Sequence, residues 1–283
     1  MNRLTIAIPT FRRPQDLKRA VSGVLEQARE LVGGLSPEAR EPEGDAVGAA
    51  DADGGTGRGV SDVEVLVIDN DAQRTGSEAA LAAAADAGMP VRSSAEAPEG
   101  PGAVGLRYVV EERPGVAAVR NRALDETGGR DLLVFIDDDE EPEPGWLAAL
   151  VGLWASTGCQ AVAGPVIPVY EVEPEAWVRQ GEFFVRRTWP TGTVRPVAAS
   201  NCLLLDLGFV RRAGLRFDEA FGATGGEDTL FTRRLSAAGG VIRWVLPQQW
   251  AGMLAVRRRW FDVLLMLGAG AVIWLVALVV PPQ

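Results

Sequence analysis

Three short apolar runs constrain this chain more than any other feature: LTIAI at residues 4–8, VEVLVI at 63–68 and LLVFI at 132–136. Each is a near-continuous run of strand length rather than a strict alternation of apolar and polar residues. After each comes a polar turn and then a stretch that reads as helix, as in Leu17, Val21, Val24 and Leu25 after the first run. Strands that are hydrophobic on both faces and alternate with helices predict a mostly parallel sheet covered on both sides, the α/β class. Ligands of such sheets bind beyond the carboxyl ends of the strands. Here those ends are Pro9-Thr10, Asp69-Asn70-Asp71 and Asp137-Asp138-Asp139.

What the residue inventory excludes is as informative as the pattern. The chain contains no histidine, so Ser-His-Asp and Cys-His nucleophilic chemistry and His-ligated zinc are ruled out, and acid–base steps fall to carboxylates, tyrosine, Lys18 or a metal-bound group. Cys159 and Cys202 are too few and too far apart for a metal-ligand pattern or a disulfide framework. A net charge of −10 argues against nucleic acid as the main partner, because phosphate backbones are bound by clustered Lys and Arg. With 283 residues, 47% of them hydrophobic, the chain can bury one large core.

Further helices are predicted over 78–87, from Gly115 through VAAVRNRALDET, and over 144–156; further strands are predicted near 106–110 and 161–166. Two segments stand apart. Residues 34–62 carry seven acids against two arginines and almost no large apolar side chains, which predicts a flexible acidic insertion in a domain spanning 1–250. At the other end, Arg257, Arg258 and Arg259 precede 18 uncharged residues, Val263 to Val280. Such a run is about 27 Å long as a helix, near the ~30 Å hydrocarbon thickness of a bilayer. Residues 257–283 are therefore read as a basic-flanked hydrophobic helix that spans or embeds in a membrane, with a buried or interfacial helix as the alternative. The N-terminal apolar run is too short for a signal peptide.

Two constellations carry candidate chemistry. Alternation along a strand would point Asp137 and Asp139 to one side, where two carboxylates suit a hard divalent ion that also binds phosphate, with Asp138 facing away and Glu140 and Glu141 returning to solvent. The second constellation is GGEDTLFTRRL, in which Glu227 and Asp228 open a helix; helix capping alone would also explain acids there. Arg120, Asn121 and Arg122, early on a helix, can aim cationic donors at the same sheet edge.

Taken in order, IPTFRRPQDLKRAVSGVLEQ, VLVIDND, PGVAAVRNRAL, LLVFIDDDEEPEPGWLAAL and RFDEAFGATGGEDTLFTRRLSAAGG resemble glycosyltransferase family 2, over about residues 3 to 245. The resemblance implies a GT-A fold: a three-layer sandwich around a mostly parallel mixed sheet. It places Pro9, Thr10 and Phe11 at the start of a nucleotide pocket, and Asp69 at the base or ribose. Arg120 falls near the diphosphate and Glu227 beside the donor. Asp137 and Asp139 match the outer members of the family's DxD motif, so that Asp137 would meet sugar or ribose hydroxyls and help hold the metal that Asp139 ligates. Asp228 matches the general base.

The implied activity is inverting, metal-dependent transfer of a sugar from a nucleotide-sugar donor, a UDP-sugar first among the candidates, with Mn²⁺ or Mg²⁺ as cofactor. The implied acceptor is a glycan or a lipid-linked glycan, and the implied place is the cytoplasmic face of a membrane, in building cell-envelope polysaccharide. Val256 stands where processive members carry the Gln of QxxRW, which weakens a polymerase reading. A sugar-phosphate nucleotidyltransferase is the alternative enzyme, although Pro9-Thr10-Phe11-Arg12-Arg13 lacks the glycines of a phosphate loop; a catalytically silent membrane-anchored scaffold is the non-enzymatic one. Aromatics between Tyr170 and Val197, among them Trp177, Phe183, Phe184 and Trp189, either pack in the core or stack on an acceptor sugar.

Overall fold

The computed structural model describes residues 1–33, 58–89, 91–92, 100–169, 176–181, 187–221, 225–246 and 256–259. The three apolar runs form β1 (Asn2–Thr10), β2 (Val60–Asp69) and, after the helices and strands between, β5 (Leu132–Ile136). From β1 the chain enters α1 (Pro14–Gly33), opened by a proline whose fixed φ suits the first helical turn. After β2 come α2 (Ser77–Asp86), β3 (Val91–Arg92), β4 (Val104–Val110) and α3 (Val116–Glu126). β6 (Glu140–Pro142), α4 (Trp146–Thr157), β7 (Ala161–Ala163), β8 (Ile167–Val169) and α5 (Ala176–Gln180) follow β5. The rest of the described chain adds β9 (Val194–Arg195), β10 (Cys202–Asp206), α6 (Leu207–Arg212), a 3₁₀ turn at Glu219–Phe221, α7 (Glu227–Ala237), β11 (Ile242–Trp244) and β12 (Val256–Arg259).

The strands assemble in the order β3-β4-β2-β1-β5-β10-β7-β11-β9. From β3 to β5 every pairing is parallel; β10 then runs antiparallel to both β5 and β7, so the sheet is mixed as well as mostly parallel. Its two faces are covered separately. On one, Leu4, Ile6, Ile8, Val65, Val134 and Ile136 meet Leu17, Val21, Val24 and Leu25 of α1 and Trp146, Leu147 and Leu150 of α4. On the other, Ala7, Leu66, Ile68 and Phe135 meet Ala117 and Ala123 of α3, Val210 of α6 and Phe231 and Leu235 of α7. Burying both sides of each central strand is what made the runs continuous rather than alternating.

Register decides which residues share the functional edge. Thr10 stands opposite Asp69, and Cys202 opposite Ile136. Thr10, Asp69 and the turn after Ile136 therefore meet at the carboxyl ends of β1, β2 and β5. Because β10 is antiparallel, Ser200 and Asn201, just before its first residue, arrive at the same end.

Two boundaries differ from the sequence reading. Val60, Ser61 and Asp62 already belong to β2, with Asp62 buried against Arg130, so the acidic segment ends before residue 60; residues 34–57 lie outside the described residues. Residues 256–259 are extended, not helical: β12 pairs with β6 and β8 in a second, three-stranded sheet, which draws the backbone of the basic cluster onto the strand after the acidic turn. The expected hydrophobic helix over 263–280 lies outside the described residues, and among the helices that are described none is long and apolar enough to cross a membrane.

Candidate active site

A cleft of about 450 Å³ opens at the carboxyl edge of the sheet. Pro9, Thr10, Phe11 and Arg13 line it from β1 and the turn into α1; Pro114, Gly115, Val116 and Val119 line it from the start of α3. Asn70 and the three aspartates 137–139 complete its lining. Pro9, Thr10 and Phe11 thus line this cleft together, with the Phe11 ring about half exposed and the Arg12 guanidinium 4.9 Å from its centre.

The acidic run after Ile136 folds differently from a continued strand. Glu140 N–H donates to the Asp137 carbonyl at 3.2 Å and Asp137 N–H to Glu140 Oε2 at 3.0 Å, so residues 137–140 form a closed turn. Strand alternation stops there, and all three aspartates line the cleft. Asp138 therefore does not face away: it is buried, accepts a 2.7 Å hydrogen bond from Thr10 Oγ1 and lies 3.5 Å from Arg13. Burial pushes its carboxyl up to about 7, against the downward pull of the Thr10 hydrogen bond and Arg13. Nor does Glu140 return to solvent. It is fully buried and accepts a 2.7 Å hydrogen bond from Asn201 Nδ2, a partner 61 residues away that the local sequence gives no means of finding.

Asp137, Asp139 and Glu140 each place a carboxylate oxygen within 4.8 Å of the others. Three hard oxygen donors at that spacing fit a divalent cation such as Mg²⁺ or Mn²⁺, which would keep water or substrate oxygens in its remaining positions. The sequence named Asp137 and Asp139 for this role and missed Glu140.

Arg120 connects this turn to α7. Its Nη2 is 3.6 Å from Asp137 Oδ1, its Nη1 donates to Glu227 Oε1, and its guanidinium lies 5.8 Å from the centre of the Phe217 ring. Arg120 and Glu227 are both buried, and Glu227 Oε2 has no hydrogen-bond partner among the described residues. Asp228, next along, is part-exposed, and its Oδ1 accepts from Thr229 N–H at 2.6 Å. Asn121 and Arg122 do other work. Asn121 exchanges two 2.9 Å hydrogen bonds with the Phe217 backbone, and Arg122 pairs with Glu126 on its own helix.

Asp69 departs from its expected role. It is fully buried, its carboxylate accepting from the backbone of Asp71 and Gly76, both at 2.9 Å, and from the Tyr108 hydroxyl. With those donors inside the protein it shapes the loop after β2, and its neighbour Asn70 reaches the cleft instead. The Asn70 amide is itself a clasp, donating to the carbonyls of Glu111 and Arg113 at 2.7 Å and accepting from Gly115 N–H at 3.0 Å. Of the aromatics between Tyr170 and Val197, Trp189 packs edge-on against Trp244 with ring centres 4.8 Å apart; Trp177 is exposed. Phe183 and Phe184 lie outside the described residues.

Solved structures share this architecture. The S. aureus TarS 1-349 structure in complex with UDP-GlcNAc superposes with a TM-score of 0.56 at 12% identity, over 91% of this chain and 58% of that one. GalNAc-T7 with UDP, GalNAc and Mn²⁺ gives 0.58 at 12% identity, over 92% of this chain and 44% of that one. At such identities the likeness defines the fold class, that of the GT-A glycosyltransferases. The family model described as Glycosyl transferase family 2 matches residues 57–206, and the chain belongs to that family. The Succinoglycan biosynthesis protein ExoM of Rhizobium meliloti (strain 1021) is 35% identical over 151 residues, which is 51% of this chain and 46% of that protein. The match thus spans about half the length of this curated relative. A second model, described as Protein of unknown function (DUF3017), matches residues 235–279.

Proposed function

We propose that the chain is an inverting, cation-assisted glycosyltransferase that takes a sugar from a nucleotide-sugar donor, a UDP-sugar in the first instance, and passes it to a glycan or lipid-linked acceptor. The observation that carries this reading is the convergence of Asp137, Asp139 and Glu140 within 4.8 Å at the edge of a cleft formed by three strand ends. UDP or UDP-GlcNAc in the structures of TarS and GalNAc-T7 supports the choice of donor, and the ExoM relative supports work on a growing polysaccharide. The uncharged run 263–280 behind Arg257–Arg259 supports work at the cytoplasmic face of a membrane.

Transfer breaks the bond between the anomeric carbon and the diphosphate and forms one between that carbon and the acceptor oxygen. A divalent cation held by Asp137, Asp139 and Glu140 would supply Lewis-acid neutralisation of the departing diphosphate. Asp228, at the start of α7, accepts the proton of the attacking hydroxyl. Arg120 fixes the relation between the two by pairing with Asp137 and with Glu227, the residue before the base. A single displacement inverts the anomeric carbon and needs no covalent enzyme intermediate, so a chain without histidine lacks nothing for it.

The test is a panel of nucleotide sugars with Mn²⁺ or Mg²⁺, read by the nucleotide released. Release of nucleoside diphosphate is expected. Pyrophosphate would indicate the nucleotidyltransferase alternative, and no release together with no UDP binding would end the enzyme reading.

A further inference from the structure

Among the described residues, two arginines of opposite character pair with the carboxylates of the turn. Arg120 is buried and held from both sides, by Asp137 and by Glu227. Arg13, by contrast, is half exposed, with 51% of its side chain open to solvent, yet its Nη1 lies 3.0 Å from Asp139 Oδ2 and 3.5 Å from Asp138 Oδ1, on acids whose side chains are 8% and 9% exposed. Buried carboxylates need a counter-charge, and here an arm anchored just before α1 supplies it from the solvent side. Such a pair is weakly held from the arginine's side, because a half-exposed guanidinium regains water when it leaves. Asp139 also belongs to the group whose oxygens converge for a cation, and Arg13 lines the same cleft.

Two positive groups on one carboxylate repel, so Arg13 and a divalent ion oppose each other at Asp139. We propose that Arg13 is a resident counter-ion of the acidic turn, which holds Asp139 until a divalent cation arrives and then pairs with the diphosphate of the nucleotide in the same cleft. The idea rests on the reading of the cleft as a nucleotide-sugar site. It gives Arg13 opposite effects on the two ligands: it weakens cation binding in the free protein and strengthens nucleotide binding once the cation is present. A planar guanidinium suits both partners, since it forks equally well onto a carboxylate or a phosphate.

Mn²⁺ binding to the full chain, followed by electron paramagnetic resonance without nucleotide, tests the first half. Arg13→Gln is expected to bind Mn²⁺ about fivefold more tightly than the wild type, the scale of a half-exposed ion pair. Arg12→Gln removes the same charge one residue away, from a side chain paired with Asp71, and is expected to stay within about twofold, as an exposed charge pointing elsewhere should. UDP titrated at saturating Mn²⁺ tests the second half, and there Arg13→Gln is expected to bind about fivefold more weakly, having lost one charge-assisted contact. Equal or weaker Mn²⁺ binding by Arg13→Gln, the same gain in Arg12→Gln, or an unchanged UDP affinity would each overturn the proposal. A wild type that binds Mn²⁺ and UDP while Arg13→Gln behaves identically removes only the role of Arg13; if neither protein binds either ligand, the glycosyltransferase reading falls with it.

Discussion

Glu227 is the residue whose surroundings say most about how the site is held. Its carboxylate is buried, one oxygen on Arg120 and the other without a hydrogen-bond partner among the described residues, one residue before the proposed base. Truncating one member of a buried ion pair strands the other, so Glu227→Ala is expected to cost about 3–5 kcal/mol of stability, measured by urea unfolding. Glu227→Gln keeps the shape and is expected to leave the fold intact while lowering turnover more than about tenfold through misplacement of α7, a loss that unchanged kinetics would contradict. Much of this was legible in the sequence: an acidic pair opening a helix, an arginine early on another, and carboxylates at a strand end each carry a recognisable chemical pattern. The orientation of Asp138 and the burial of Glu140 were not legible, because the turn closed by Asp137 and Glu140 breaks the alternation from which side-chain direction was inferred. Asn201 and Arg13 were missed for a different reason: nothing local to either residue says that it ends beside an acid more than sixty positions away.

At the level of elements, α7 is fixed by an aromatic column beneath the site. Phe231 on α7 stacks on Phe217 with ring centres 4.2 Å apart, and Phe217 meets Phe135 of β5 edge-on at 5.8 Å. This column ties the helix that carries Glu227 and Asp228 to the strand that carries the acidic turn. Phe231→Ala is therefore expected to destabilise the protein by about 3–5 kcal/mol and to lower turnover even where the fold persists, both readable from one purified variant. The loop of residues 111–115 hangs on Asn70 through three hydrogen bonds. Asn70→Ala leaves two carbonyls and an amide to water, with an expected cost of about 1–3 kcal/mol. It should also weaken nucleotide binding, because Pro114 and Gly115 line the cleft; an unaltered UDP affinity would show that this wall takes no part. The helices expected over 78–87 and 144–156 and the strands β1, β2, β4 and β5 were readable to within a few residues, whereas α6 and β10 were not read, and β6, β8, β9 and β12 are two to four residues long and exist through pairing partners that no local pattern announces.

For the molecule as a whole, a mostly parallel sheet covered on both faces follows from the continuous apolar runs, and its mixed character from β10 and β9, two strands whose reversed direction the sequence does not reveal. The reversal of β10 brings Asn201 to the acidic turn, where its amide donates to Glu140. In the proposed function, this edge of the sheet holds a cation and nucleotide through the turn of residues 137–140 and deprotonates an acceptor through Asp228. The most direct measurement is UDP binding and UDP release side by side, with Mn²⁺ and the best donor, for the wild type, Asp139→Asn and Asp228→Asn. Asp139→Asn is expected to lose Mn²⁺-dependent UDP binding and release together, whereas Asp228→Asn is expected to bind UDP as the wild type does and to release none from the donor. An Asp228→Asn protein turning over near the wild-type rate, or an Asp139→Asn protein binding UDP undiminished in Mn²⁺, would contradict this reading.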